Sequence, residues 1–210
     1  MCMIGVISGY RTGSTTLIEG LARLFNLNYS SVSTGELDFS HSHYYTPHRN
    51  DIIYKLMPCS MGTELESPLW QNIQNDWLSK STLIFTLRHD ISAQIKSYAL
   101  ANASAVWHQS EADISIQNYN DHHDCHFETI DDINVDIAMN LTEDILDEYI
   151  PHFIQNLQMQ KELYETHGGL ISLLEDRFEG KLKYKLPLVL PEHLQTWHCG
   201  FSLEDYFPYK

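Results

Sequence analysis

Met3-Ile4-Gly5-Val6-Ile7-Ser8-Gly9-Tyr10-Arg11-Thr12-Gly13-Ser14-Thr15-Thr16-Leu17 is the stretch whose reading decides the fold. Met3 to Ser8 is a short apolar run, read as a buried strand. Gly9 to Gly13 is a tight loop of glycines and small or polar residues, and Ser14 begins a helix with Leu17, Leu21 and Leu24 on one face. A strand that runs through such a loop into a helix start is an anion site. The first helical turn offers unbonded N–H groups, and the helix dipole adds partial positive charge. Gly9 and Gly13 allow close backbone approach. Ser14, Thr15 and Thr16 add hydroxyls, and Arg11 adds a fixed cation with a planar set of donors.

The loop departs from the nucleotide-hydrolase pattern G-x-x-x-x-G-K-[ST]. Three residues separate Gly9 from Gly13, and Ser14 follows Gly13 with no lysine between them. That lysine would neutralise the β- and γ-phosphates, so ATP or GTP hydrolysis is not the first reading.

A second segment, Leu83-Ile84-Phe85-Thr86-Leu87-Arg88-His89-Asp90-Ile91-Ser92-Ala93-Gln94-Ile95-Lys96-Ser97-Tyr98, has the same logic. Leu83 to Leu87 reads as a strand covered on both faces. Asp90 is a helix N-cap candidate, followed by Ile91, Ile95 and Tyr98 at helical spacing. Arg88 therefore falls at the C-terminal tip of a strand, where open α/β sheets bind ligands, and Ser97 falls on the following helix.

Taken as a pair, these two segments resemble the signatures of sulfotransferases that use 3′-phosphoadenosine-5′-phosphosulfate (PAPS). The similarity is closest to the bacterial and phage branch that includes trehalose sulfotransferase, with R-T-G-S-T in the first loop and R-x-D-x-x-x-Q-x-x-S in the second. The resemblance implies that Arg11, Thr12, Gly13, Ser14, Thr15 and Thr16 bind the 5′-phosphosulfate, while Arg88 and Ser97 bind the 3′-phosphate. It implies transfer of a sulfuryl group to a hydroxyl of a sugar or small metabolite, with Arg11 stabilising the departing phosphate and no metal required. In the trehalose-like branch a glutamate after the second strand is the general base. Gly35-Glu36-Leu37-Asp38-Phe39 is similar in placement, which makes Glu36 the first candidate, with His41, His43 and His48 as alternatives in the same loop. The late R-K-G motif of eukaryotic members is absent, and Lys181, Lys183 and Lys185 form the only late basic cluster. Two other classes fit the loop: a non-catalytic nucleotide-binding protein, and an atypical P-loop small-molecule kinase.

Composition bounds the partners. Among 210 residues, 13 Lys and Arg face 28 Asp and Glu, for a net charge of −15. That balance speaks against nucleic acid and heavily acidic acceptors. A small-molecule or carbohydrate acceptor is expected. Cys2, Cys59, Cys125 and Cys199 have neither metal-site nor disulfide-framework spacing. No signal peptide is read before the first strand and no membrane-spanning run occurs, so a cytoplasmic location with reduced thiols is expected.

Further along, Asn28 to Val32 and Ile52 to Leu56 read as strands, Pro68 to Lys80 and Asp144 to Glu165 as helices, and Leu170 to Leu174 as a last strand. Residues 33–50 read as an active-site loop. Asp113 to Asn134 is polar and acidic around Asp121-His122-His123-Asp124-Cys125-His126, read as a solvated irregular insertion rather than a metal site, because the spacing fits no ligand template. The expected architecture is α/β: a P-loop-like three-layer αβα sandwich around a central, mostly parallel sheet. It forms a single domain over residues 1–210, with a polar insertion or lid around 105–140.

Overall fold

The computed structural model describes residues 3–26, 28–29, 52–58, 68–104, 112–177 and 190–207. The expected loop 33–50, with Glu36, His41, His43 and His48, lies outside the described residues, as do 30–32 and the alternating Lys181 to Lys185 stretch. Contacts divide the chain into two compact units. The first is Met1–His89, His152–Arg177 and Leu203–Lys210; the second is Asp90–Pro151 and Phe178–Ser202.

The first unit holds the sheet. Strands β1 (Met3–Ser8), β2 (Asn28–Tyr29), β3 (Ile52–Leu56), β4 (Ser81–Leu87) and β5 (Leu170–Leu173) lie in the order β2-β3-β1-β4-β5. Every pairing is parallel. Parallel neighbours need crossover connections, and the continuous apolar runs of β1 and β4 are what a sheet covered on both sides requires. Helix α1 (Ser14–Phe25) carries the chain from β1 outward to β2, whereas α2 (Pro68–Asp76) carries it back across β1 to β4. Right-handed crossovers in opposite directions must lie on opposite faces.

The core is divided accordingly. Val6 and Ile53 pack with Ile18 of α1, flanked by Leu17, Leu21 and Ala22. Ile7, Tyr54, Leu56, Leu83 and Phe85 pack on the other face with Ile73, Trp77, Leu78 and Leu163. Helices thus cover both faces of the sheet. Gly5 sits where a Cβ would come within 2.6 Å of Tyr54 Cζ, so its missing side chain lets Tyr54 lie flat and donate to Ser81 Oγ at 2.9 Å. One expected core residue is displaced: Leu24 is 73 % exposed, and Ile18 holds the buried position instead.

Helix α6 (Glu143–His167) covers 25 residues and runs through Pro151 without ending. Proline removes one intrahelical donor, and the boundary between the two units falls directly after it. The C-terminal part of α6 belongs to the first unit, where Phe85 and Tyr164 meet edge to face at 5.4 Å.

The second unit is helical, with α3 (Ile91–Ser104), α4 (Ala112–His123), α5 (Ile130–Asn140), the start of α6 and α8 (Glu192–Thr196); α7 (Leu174–Arg177) belongs to the first. Asp90 is the N-cap of α3 as expected, accepting from the Ala93 N–H at 2.8 Å. The irregular polar segment expected around 113–134 is corrected: α4 extends through His123, and α5 begins at Ile130. Between them Asn120 organises the turn. Its amide donates to the Phe127 carbonyl at 2.8 Å and accepts from the Phe127 N–H at 2.9 Å. The polar composition serves a helix–turn–helix whose outer side faces water.

Candidate functional site

Adjacent strands β1 and β4 leave the sheet in opposite directions, since β1 leads toward β2 and β4 leads toward β5. Open α/β sheets bind ligands at the C-terminal ends of the strands flanking such a switch point. The register Ser8↔Thr86 aligns the ends of β1 and β4. The loop Gly9–Gly13 and Arg88 therefore leave the same edge of the sheet from neighbouring strands.

Thr12 locks that loop to β4. It is 2 % exposed. Its Oγ1 lies 3.1 Å from the Gly9 carbonyl and 2.8 Å from Thr86 Oγ1. A hydroxyl carries one proton, so a consistent direction is Thr86 donating to Thr12 and Thr12 donating to Gly9. The Thr12 hydroxyl is consequently spent inside the fold, and what this residue offers a ligand is its backbone. Ser14 is buried, Thr15 is half-buried and Thr16 is exposed.

Two positions of the loop adopt left-handed backbone. Gly13, at φ 69°, is the N-cap of α1 and brings no side chain to cap the first turn. Arg11 has φ 58°. A residue with a Cβ in that conformation costs about 1–2 kcal/mol that glycine would not incur. A cationic side chain retained where glycine is favoured directs attention to the charge.

Arg88 is held at the other flank. Its Nε lies 3.7 Å from Glu175 Oε1, with the side chain 13 % exposed. Glu175 Oε2 accepts the His89 N–H at 3.0 Å, and His89 Nδ1 lies 3.2 Å from Glu204 Oε1. Glu175 stands just past β5, so one carboxylate ties the end of β4 to the end of its neighbour and fixes the guanidinium. The contact of Glu175 with Arg88, 87 positions away, has no local sequence signal.

Ser97 lies in the second unit, buried on α3. On the same helix Lys96 is buried with its ammonium 5.7 Å from the centre of the Trp197 ring. Burial pushes the Lys96 pKa down, partly opposed by Asp90.

Sequence reading missed one side of the loop. Residues His152, Asn156 and Gln160 recur one helical turn apart on α6, and all three border the loop. Tyr10 stacks on His152 at 5.5 Å. A Cβ on Gly9 would stand 2.5 Å from Asn156 Oδ1, so Gly9 is required by close approach. Burial lowers the His152 pKa. A polar stripe on a helix ordinarily reads as a solvent face; here Asn156 is 4 % and Gln160 1 % exposed. Lys55 is likewise buried, on β3 in register with Val6.

Among the described residues no group of three His, Cys, Asp or Glu side chains is placed to hold a metal ion. Among them, too, no helix is long and apolar enough to cross a membrane. Comparison with protein-family models, with curated proteins and with solved structures found no match to this chain.

Proposed function

We propose that the chain is a P-loop-like sulfotransferase that binds PAPS at the β1/β4 edge and transfers its sulfuryl group to a hydroxyl of a sugar or small metabolite. One observation carries this reading: the Gly9–Gly13 loop and Arg88 issue from aligned ends of adjacent parallel strands at the switch point. A donor with phosphate at both ends of one adenosine calls for two separate anion grips. The loop entering α1 supplies amides and the Arg11 guanidinium; Arg88, braced by Glu175, supplies the second grip.

In this reading the loop amides and Arg11 hold the phosphosulfate and stabilise charge that develops on the oxygen between phosphorus and sulfur as its bond to sulfur breaks. Arginine does this electrostatically, since its pKa is too high for it to donate a proton. Arg88 holds the 3′-phosphate, and the sequence resemblance gives Ser97 the same task. A base takes the proton of the attacking hydroxyl, for which Glu36 is the candidate. The loop's lack of a lysine after Gly13 disfavours the kinase alternative.

Titration with adenosine 3′,5′-bisphosphate, ADP and ATP, with and without magnesium, tests the reading. The bisphosphate should bind more tightly than ATP. Arg88→Ala should weaken it by about ten- to a hundredfold, the worth of a charge-assisted hydrogen bond. Preference for ATP with magnesium would replace this reading with the kinase. Bisphosphate binding without turnover in any acceptor screen would leave a non-catalytic nucleotide-binding protein. Glu36→Gln should abolish turnover while leaving bisphosphate affinity unchanged; full turnover would remove Glu36 from the mechanism.

A further inference from the structure

We propose that Asn156 is an additional donor of the loop's anion site, with its carboxamide oriented by Gln160. The inference rests on reading the loop as a seat for a phosphoryl or phosphosulfate group. It adds a residue from a different part of the chain.

The geometry begins with the direction of α6. Because β5 follows α6 and runs parallel to β4, the helix returns antiparallel to the strands. Its first-unit start lies at the edge where the loop and Arg88 emerge, and its end lies toward the opposite edge. His152 is therefore at the rim beside Tyr10, Asn156 one turn deeper against Gly9, and Gln160 deeper again. Further on, Leu163 joins the core formed by Ile7 and Phe85.

One hydrogen bond then ties the two carboxamides together. Gln160 Nε2 donates to Asn156 Oδ1 at 2.7 Å in a buried setting. Among the described residues this leaves Asn156 Nδ2 and Gln160 Oε1 without hydrogen-bond partners, although both residues are more than nine-tenths buried. An unsatisfied buried donor is costly to the free protein, which makes a ligand acceptor at that place favourable. Asn156 Oδ1 abuts Gly9, which places the carboxamide, and with it Nδ2, beside a loop whose own N–H groups and Arg11 suit an anion. A neutral amide donor adds affinity there without the desolvation cost of another buried charge.

Two probes and three variants, all in the full chain, test the proposal: inorganic pyrophosphate and adenosine 3′,5′-bisphosphate against Asn156→Leu, Asn156→Asp and Gln160→Met. Calorimetric affinities are read together with melting temperatures. Asn156→Leu should weaken pyrophosphate about tenfold or more, and Gln160→Met should weaken it less. Asn156→Asp should bind worst at pH 8 and recover as acidification turns the carboxylate into an O–H donor. A purely structural residue would shift melting but not produce that pH profile. Should the aspartate variant fail to fold, the other two decide. Wild-type affinity in a folded Asn156→Leu protein overturns the proposal. Pyrophosphate binding in the wild type, with bisphosphate no tighter than in Arg88→Ala, defeats the nucleotide reading alone; the Asn156 donor is then judged on the pyrophosphate arm. Binding of neither probe by the wild type overturns both.

Discussion

Arg11 carries a full side chain through backbone that glycine adopts more cheaply, while Thr12 beside it spends its hydroxyl on Gly9 and Thr86. The two neighbours thus divide the work, one supplying charge and the other holding the loop. Arg11→Gly should relieve the left-handed strain, stabilising the protein by up to about 1 kcal/mol in urea unfolding, while weakening bisphosphate binding at least tenfold. Unchanged affinity would show that the guanidinium does not reach the ligand. Thr12→Val should cost about 1–3 kcal/mol, because it leaves buried polar partners unmatched, and so should Thr86→Val. The Thr12→Val/Thr86→Val double variant should cost less than the sum, since both changes remove one shared bond. Strict additivity would mean that the pair does not couple. Neither contact could be read from the chain, because a threonine one residue before a strand's end has no mark distinguishing a partner 74 positions away.

At the scale of elements, α6 contains two rings whose burial ties stability to pH. Burial lowers the pKa of both His152 and His167 from the ordinary 6.5. The unfolded chain therefore takes up protons first as pH falls below about 7. Stability is greatest with both rings neutral and declines with acidification until the folded-state pKa values are passed. Between pH 7 and 5 the urea midpoint should fall. His152→Gln and His167→Gln should each flatten the decline, and an unchanged slope in both would assign it to other groups. Much of the element pattern was legible. The bounds of α1 and β3 follow from apolar spacing, and the start of α3 follows from Asp90. Helices α4 and α5 were not legible, because their polar composition imitates a loop and Asn120's turn-making contacts are side-chain geometry. The buried stripe of Asn156 and Gln160 was hidden for the converse reason: it has the composition of a wet surface.

On the scale of the whole molecule, a net charge of −15 surrounds a site proposed for an anionic nucleotide. Long-range repulsion should slow encounter at low salt, where the Debye length is about 30 Å at 0.01 M, and fade at physiological ionic strength. The association rate for bisphosphate should therefore rise as salt is added in stopped-flow measurements, contrary to the behaviour of a basic binder. A falling rate would mean that local cations govern the approach. The sheet's parallel character was visible in its unbroken apolar runs, whereas its strand order was not, since nothing in β1 names its neighbours.

That order has a cost in assembly. β1, at the centre, pairs with strands beginning at Ile52 and Ser81, and β5 arrives only at Leu170. Each join closes a long stretch of chain before any neighbouring contact repays the lost entropy. During synthesis β1 emerges before both of its partners and stays unpaired until β3 and β4 have followed. Recovery from denaturant should accordingly be slow and crowding-sensitive, with exposed β1 the natural target for a chaperone.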